Sequence, residues 1–239
     1  MPSELKNRIA IVTGGSRGIG FAIAEALAER ECSVVLTSRS AKSAEEAAKK
    51  LAQFETKIIP YTCDVRDEEA VARLFALVRD EFKHLDFLVN NAGIYGPAAP
   101  IDQVPTGGWR EALDTNLTGT FLCTRYAAPL MARGAVIVNN LSVAAHQTFP
   151  NSAAYIASKH GALGLTNATR EDLRGRGIRV LALVPGATDT EIWNQFWPEA
   201  PREKMIAPKN VASAVMNALL MPEGTSVDEI RIGPTAGRL

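Results

Sequence analysis

Short aliphatic runs alternate along the chain with longer stretches whose apolar positions recur every three to four residues. The runs are residues 8–12, 33–37, 57–61, 85–89, 135–139, 179–184 and 228–232. Most are rich in β-branched residues and apolar at successive positions, the pattern of parallel strands covered on both faces. Between them, residues 19–30 bring Ile19, Ile23, Ala26, Leu27 and Arg30 near one another, and residues 68–82 place Val71, Leu74, Phe75 and Val78 on one stripe. Both spacings predict amphipathic helices. Asp67 is the expected N-cap of the second. Strand alternating with helix predicts right-handed crossovers and an α/β fold, a doubly wound parallel sheet with helices on both faces.

No repeat, low-complexity segment or charge block interrupts this order, and no Pro/Gly/Ser linker divides it, so residues 1–239 read as one domain. Two connections are too long for simple turns: residues 90–108, with Pro97, Pro100, Pro105 and Gly107-Gly108, and residues 185–208. Both follow strands at the carboxyl end of the sheet, where open parallel sheets bind ligands.

Composition narrows the classes of function. The 26 Lys+Arg and 26 Asp+Glu cancel, which argues against a chain built for nucleic acid or an anionic membrane. No apolar run approaches the roughly 20 residues of a membrane span. Residues 1–10 are too polar for a signal peptide. Cys32, Cys63 and Cys123 are odd in number and far apart, as expected of reduced thiols in the cytoplasm. The three histidines lack metal-ligand spacing, and no metal site is expected.

The first run leads into Thr13-Gly14-Gly15-Ser16-Arg17-Gly18-Ile19-Gly20 and then a helix. Glycines open backbone angles closed to other residues, and the helix start offers free N–H groups to a pyrophosphate. The spacing Gly14-x-x-x-Gly18-x-Gly20 departs from G-x-G-x-x-G. NAD sites usually place an acid about 20 residues further on, for the ribose 2′-hydroxyl. Here the second run ends Leu36-Thr37-Ser38-Arg39. With Arg17 in the turn, Arg39 after the strand and no carboxylate, a 2′-phosphate is favoured, so NADP(H) over NAD(H).

Tyr155-Ile156-Ala157-Ser158-Lys159 opens a helical stretch, and Tyr155 and Lys159 share a face at i and i+4. A phenol near pKa 10 is a poor acid or base at neutrality, and a nearby ammonium lowers that value. The pair suits general acid/base chemistry between carbonyl and alcohol. Ser142 follows the fifth run, within reach of a substrate oxygen. Asn116 stands inside a predicted long helix, where Asn is intrinsically unfavourable.

Together these residues resemble the short-chain dehydrogenase/reductase family over nearly the whole chain, most of all its 3-oxoacyl-carrier-protein reductase-like members. Residues 13–20 match the family's cofactor turn. Asp64-Val65 matches its adenine-contacting pair. Asn90-Asn91-Ala92-Gly93 matches the segment that flanks the cofactor, and Asn116, Ser142, Tyr155 and Lys159 match the catalytic tetrad. Pro185-Gly186 with Thr188 and Thr190 matches the nicotinamide side. The resemblance implies a strand order of 3-2-1-4-5-6-7 and a homo-oligomer, tetramer or dimer, paired through the helices of Asn116 and Tyr155. Ala162, Leu163, Leu165 and Ala168 would lie on the paired surface. It also implies roles. Tyr155 would protonate the carbonyl, and Lys159 would hold the cofactor ribose and lower the pKa of Tyr155. Ser142 would position the carbonyl. Asn116 would hold a water leading from Lys159 to solvent. The C-terminal segment 230–239 departs from the family's commoner glycine-rich tail.

The function that follows is an NADP(H)-dependent oxidoreductase of ketones and secondary alcohols. The alternative is a nucleotide-bound sensor that does not turn over, for which the tetrad would be superfluous. A sugar-nucleotide epimerase would need a larger C-terminal substrate domain. His146 and Phe149 are candidates to line the substrate pocket. So are Trp193, Phe196 and Trp197, in the loop 187–207. With Ile192 they fit one face of a short helix between Thr190 and Pro198. That loop is expected to be a lid over an apolar substrate, the alternative being a surface packed on the core or a subunit.

Overall fold

The computed structural model describes residues 5–222 and 224–237. The first four residues of the polar opening segment, and Arg238 and Leu239 of the tail, lie outside the described residues. Seven strands form one sheet: β1 (Ile9–Val12), β2 (Ser33–Ser38), β3 (Ile58–Thr62), β4 (Phe87–Asn90), β5 (Val136–Asn140), β6 (Arg179–Pro185) and β7 (Glu229–Ile232). Their order is β3-β2-β1-β4-β5-β6-β7 and every pairing is parallel. Among the described residues seven α-helices connect them: α1 (Gly18–Ala28), α2 (Ala41–Leu51), α3 (Glu68–Phe82), α4 (Thr106–Leu113), α5 (Gly119–Ala127), α6 (Ala153–Arg174) and α7 (Pro208–Leu219).

Alternation along each central strand explains the continuous apolar runs. Ala10, Val12, Val34, Leu36, Phe87, Val89, Val136 and Val138 face one layer, with Ile23 and Leu27 of α1, Leu51 of α2 and Val215 of α7. Ile9, Ile11, Val35, Leu88 and Ile137 face the other, with the Val71, Leu74, Phe75 and Val78 stripe of α3 and Leu122 of α5. Each strand therefore needs apolar side chains on both faces. Asp67 caps α3 by accepting from the backbone N–H of Glu69 and Ala70.

Several boundaries differ from the sequence expectation. The long connection after β4 ends at Thr106, so Gly107 and Gly108 are helical. A Cβ on Gly108 would meet Pro97 Cγ at 3.0 Å, so the missing side chain lets the proline loop lie against α4. The helix around Asn116 is not uniform: a π-helical turn, Asp114–Thr118, separates α4 from α5. In the loop 187–207 the expected short helix is a 3-10 turn, Glu191–Gln195. Pro198 and Pro201 leave it no room to extend.

Candidate active site

The carboxyl ends of β1, β2, β4, β5 and β6 open into a cavity of about 1000 Å³. At its centre the turn between β1 and α1 is held by its neighbours. Thr13 Oγ1 accepts from the backbone N–H of both Asn91 and Ala92. Asn91 Nδ2 donates to the carbonyls of Thr13 and Gly14 at 3.0 Å each. The turn can approach β4 so closely only because of its glycines. Gly14 has φ +60°, and a Cβ there would sit 3.0 Å from Ala92 Cα; one on Gly20 would sit 2.5 Å from the Gly14 carbonyl. Arg17 precedes α1 without a side-chain cap, leaving the first N–H groups of the helix free for an anion.

Gly14, Ser16, Arg17, Gly18, Ile19, Ser38 and Arg39 line one half of the cavity, with Asp64, Val65, Asn91, Ala92 and Gly93. Gly20 stands just behind, buried in α1. A dinucleotide fits this half: a crowded glycine turn, an uncapped helix start and two guanidiniums at the rim. The Asp64 carboxylate is committed elsewhere. Both its oxygens accept from Arg66, which holds the carboxyl below its ordinary range. Ser43, Glu46, Ala47 and Lys50 of α2 also line the cavity and were not anticipated, since nothing in their spacing distinguishes them from an ordinary solvated helix face.

Ser142, Tyr155 and Lys159 line the same cavity, as do Pro185, Gly186, Thr188 and Thr190. Ser142 follows β5 and caps a 3-10 turn, accepting from the N–H of Ala144. Tyr155 and Lys159 project from the first turns of α6. Lys159 is buried, and its Nζ donates to the carbonyl of Asn140 at 2.9 Å. Nζ lies 5.7 Å from the Tyr155 ring centroid. Burial drives the ammonium down to about 8. Burial also drives the phenol up to about 12, against the opposing pull of Ser142. So the phenol stands above its ordinary value, not below it as the Tyr155–Lys159 spacing suggested, because desolvation outweighs the hydrogen bond from Ser142. Asn140 Oδ1 and Thr115 Oγ1 are buried on the cavity wall without a partner among the described residues.

Asn116 does not reach the cavity with its side chain. Its Oδ1 accepts from the N–H of Ile94, and its Nδ2 donates to the Ile94 carbonyl and to Ser158 Oγ. With the amide so engaged, its side chain ties the π turn to the segment after β4 and to α6. The Asn that looks misplaced in a helix is there to make these bonds.

Phe149, Trp193, Phe196 and Trp197 line the cavity mouth. His146 does not; its ring turns to Glu229 at 3.0 Å, because the 3-10 turn after Ser142 aims it at the carboxylate of β7. Tyr95 has no sequence signal, yet its ring stacks on Tyr155 at 4.8 Å and on Phe196 at 3.8 Å between centroids. Its hydroxyl lies 2.6 Å from Ser152 Oγ at the start of α6. Gly233, Pro234 and Gly237 of the tail also border the cavity, and a Cβ on Gly186 would meet Gly233 and Pro234.

A sequence profile of the short chain dehydrogenase family matches residues 8–201. The chain belongs to the short-chain dehydrogenase/reductase family. It is 37% identical to a 3β-hydroxysteroid dehydrogenase of Mediterraneibacter gnavus over 186 residues, 77% of this chain and 67% of that protein. Dehydrogenase/reductase SDR family member 11 of Bos taurus is 32% identical over 248 aligned positions, covering 96% of this chain and 97% of the relative. Among solved structures, a short chain dehydrogenase from Burkholderia cenocepacia in complex with NADP superposes with a TM-score of 0.87. It is 32% identical, covering 96% of this chain and 97% of that one. As a member of this family the chain is an oxidoreductase that binds a nicotinamide cofactor and acts on small molecules.

Proposed function

We propose that this short-chain dehydrogenase is an NADP(H)-dependent oxidoreductase that interconverts a ketone and a secondary alcohol, with Tyr155 as general acid/base. The observation that carries the reading is the convergence of Ser142, Tyr155 and Lys159 on one cavity shared with the glycine turn, Arg17 and Arg39. When bound, the nicotinamide supplies the hydride that reaches the carbonyl carbon. Tyr155 is neutral at physiological pH, its phenol held up to about 12, so in reduction it carries the proton that the carbonyl oxygen needs. Ser142 donates a hydrogen bond to that oxygen and polarises it. Giving up the proton leaves a phenolate in a dry site, which the nearby Lys159 ammonium stabilises. Lys159 would also hold the ribose hydroxyls of the bound cofactor. Asn116 positions this machinery by bridging Ile94 and Ser158.

The guanidiniums of Arg17 and Arg39 at the rim support NADP(H), as does the NADP bound to the Burkholderia relative. The 3β-hydroxysteroid dehydrogenase relative acts, by its name, on a hydroxyl of a ring system. Together with the aromatic mouth, this favours a substrate with an apolar ring or acyl portion. The loop 187–207 serves as the lid that excludes water from hydride transfer. Cyclic, aryl and acyl ketones assayed with NADPH and NADH test the reading. Oxidation of NADPH in preference to NADH by at least one apolar ketone is the expected result. No turnover of any carbonyl or alcohol with either cofactor, despite tight nucleotide binding, would favour the sensor.

A further inference from the structure

We propose that Glu111, on α4, limits how strongly the site prefers a 2′-phosphate by competing with that phosphate for Arg39. The inference rests on the NADP(H) reading above. No carboxylate follows β2 in the sequence, but the fold brings one to Arg39 from elsewhere in the chain. Arg39 Nη1 lies 3.8 Å from Glu111 Oε1. The same oxygen accepts from Arg66 Nη1 at 3.0 Å. Arg66 in turn grips both oxygens of Asp64 at the end of β3. A line of four alternating charges, Arg39–Glu111–Arg66–Asp64, thus runs from the end of β2 past α4 to the end of β3.

A 2′-phosphate carries between one and two negative charges near neutrality, so it attracts Arg39 and is repelled by the carboxylate beside it. Arg39 is long and half exposed, and it is free to turn from Glu111 toward the cavity it lines. Glu111 is not left alone when Arg39 departs, because Arg66 keeps its shorter contact. The exchange therefore exchanges one weak, solvent-screened pair for another contact. A nucleotide without the phosphate leaves Arg39 where it is. Glu111 accordingly weakens NADP(H) without touching NAD(H), and it narrows the ratio between them.

Isothermal titration of the full chain with adenosine 2′,5′-bisphosphate and with 5′-AMP reads this without turnover, because the two differ only by the 2′-phosphate. Wild type should bind the bisphosphate more tightly. If it does not, the NADP(H) reading fails and this inference with it. Glu111→Gln should tighten the bisphosphate roughly two- to fivefold, the range of an exposed ion pair, and leave 5′-AMP unchanged. In an Arg39→Ala background the same substitution should have no effect. If wild type prefers the bisphosphate but Glu111→Gln shifts both ligands alike, leaves both unchanged or weakens the bisphosphate, competition is refuted. It is equally refuted if the tightening survives the loss of Arg39. In each of those cases NADP(H) preference stands.

Discussion

Lys159 carries a large electrostatic cost at the residue scale. Its ammonium is buried, with the Asn140 carbonyl as its hydrogen-bond acceptor among the described residues, and its pKa falls from 10.5 to about 8. The unfolded chain binds this proton more tightly than the folded one between those values. Folding is therefore penalised below pH 8, and stability rises as pH climbs from about 8 toward 10.5. By linkage the penalty at pH 7 is about 3 kcal/mol. Lys159→Met, which removes the charge and keeps the length, should raise the melting temperature of the cofactor-free protein at pH 7. The gain should shrink as pH approaches 10. An unchanged melting temperature at pH 7 would mean that the ammonium is well solvated. That Tyr155, Lys159, Ser142 and the glycine turn share one cavity was legible in the sequence, through the i, i+4 spacing of Tyr155 and Lys159, the strand–turn–helix pattern and, for Ser142, the family resemblance. Tyr95 was not. Its value comes from the rings it meets, Tyr155 from α6 and Phe196 from the loop, and such contacts leave no trace along one segment.

At the scale of elements, the π turn and the aromatic loop fix the geometry. Asn116→Ala would take the partner from the part-buried Ile94 N–H and carbonyl and a donor from the buried Ser158 Oγ. Each orphaned group costs about 1–3 kcal/mol, so a loss of several kcal/mol in a denaturant titration is expected. A change below 1 kcal/mol would show that the bridge is replaced. The sequence placed a helix here but not its π turn, because the extra residue is absorbed to satisfy a partner 22 positions away. The loop 187–207 is braced from inside. Trp193 Nε1 donates to the Thr188 carbonyl, and Arg202 ties Asp189, Thr190 and Asn194 together. As a lid, it should bind substrate through the half-buried ring of Trp193 and the exposed ring of Trp197. Trp193→Ala and Trp197→Ala should raise the Michaelis constant of an apolar ketone and leave NADPH affinity nearly unchanged. Variants that instead change the oligomeric state with intact substrate binding would mark the loop as an interface. The strands were placed to within a residue or two, since burial on both faces writes an apolar run directly into the sequence. The loop's 3-10 turns were not, because prolines say where a helix stops and not what replaces it.

Across the whole molecule, the parallel sheet with helices on both faces follows from the alternation of strand and helix, and its order β3-β2-β1-β4-β5-β6-β7 is the one the family resemblance implied. Among the described residues, no helix is long and apolar enough to cross a membrane. Two helices carry surface that the single chain leaves uncovered. Phe121 on α5 is 44% exposed, and on α6 Gly164 faces open space with Ala168 exposed nearby. Ala162 is buried beneath α6 beside Leu141 and Ala182, and Leu163 packs against that cluster, so these two serve the core. We propose that α5 and α6 pair with a second copy. Light scattering should give a dimer or tetramer, and Phe121→Lys should shift it toward monomer. A wild-type monomer at micromolar concentration would contradict this.

The claim on which the rest depends is that Tyr155 delivers the proton. Its most direct test is single-turnover oxidation of NADPH, followed by absorbance in the presence of a turned-over ketone, for wild type and Tyr155→Phe alongside their NADPH dissociation constants. The hydroxyl removed is the proton source, while the ring that Tyr95 stacks on is retained. The account predicts that NADPH binds both proteins about equally and that the rate falls by a factor on the order of 10² or more in the variant. A variant that binds NADPH normally and oxidises it at close to the wild-type rate would contradict it.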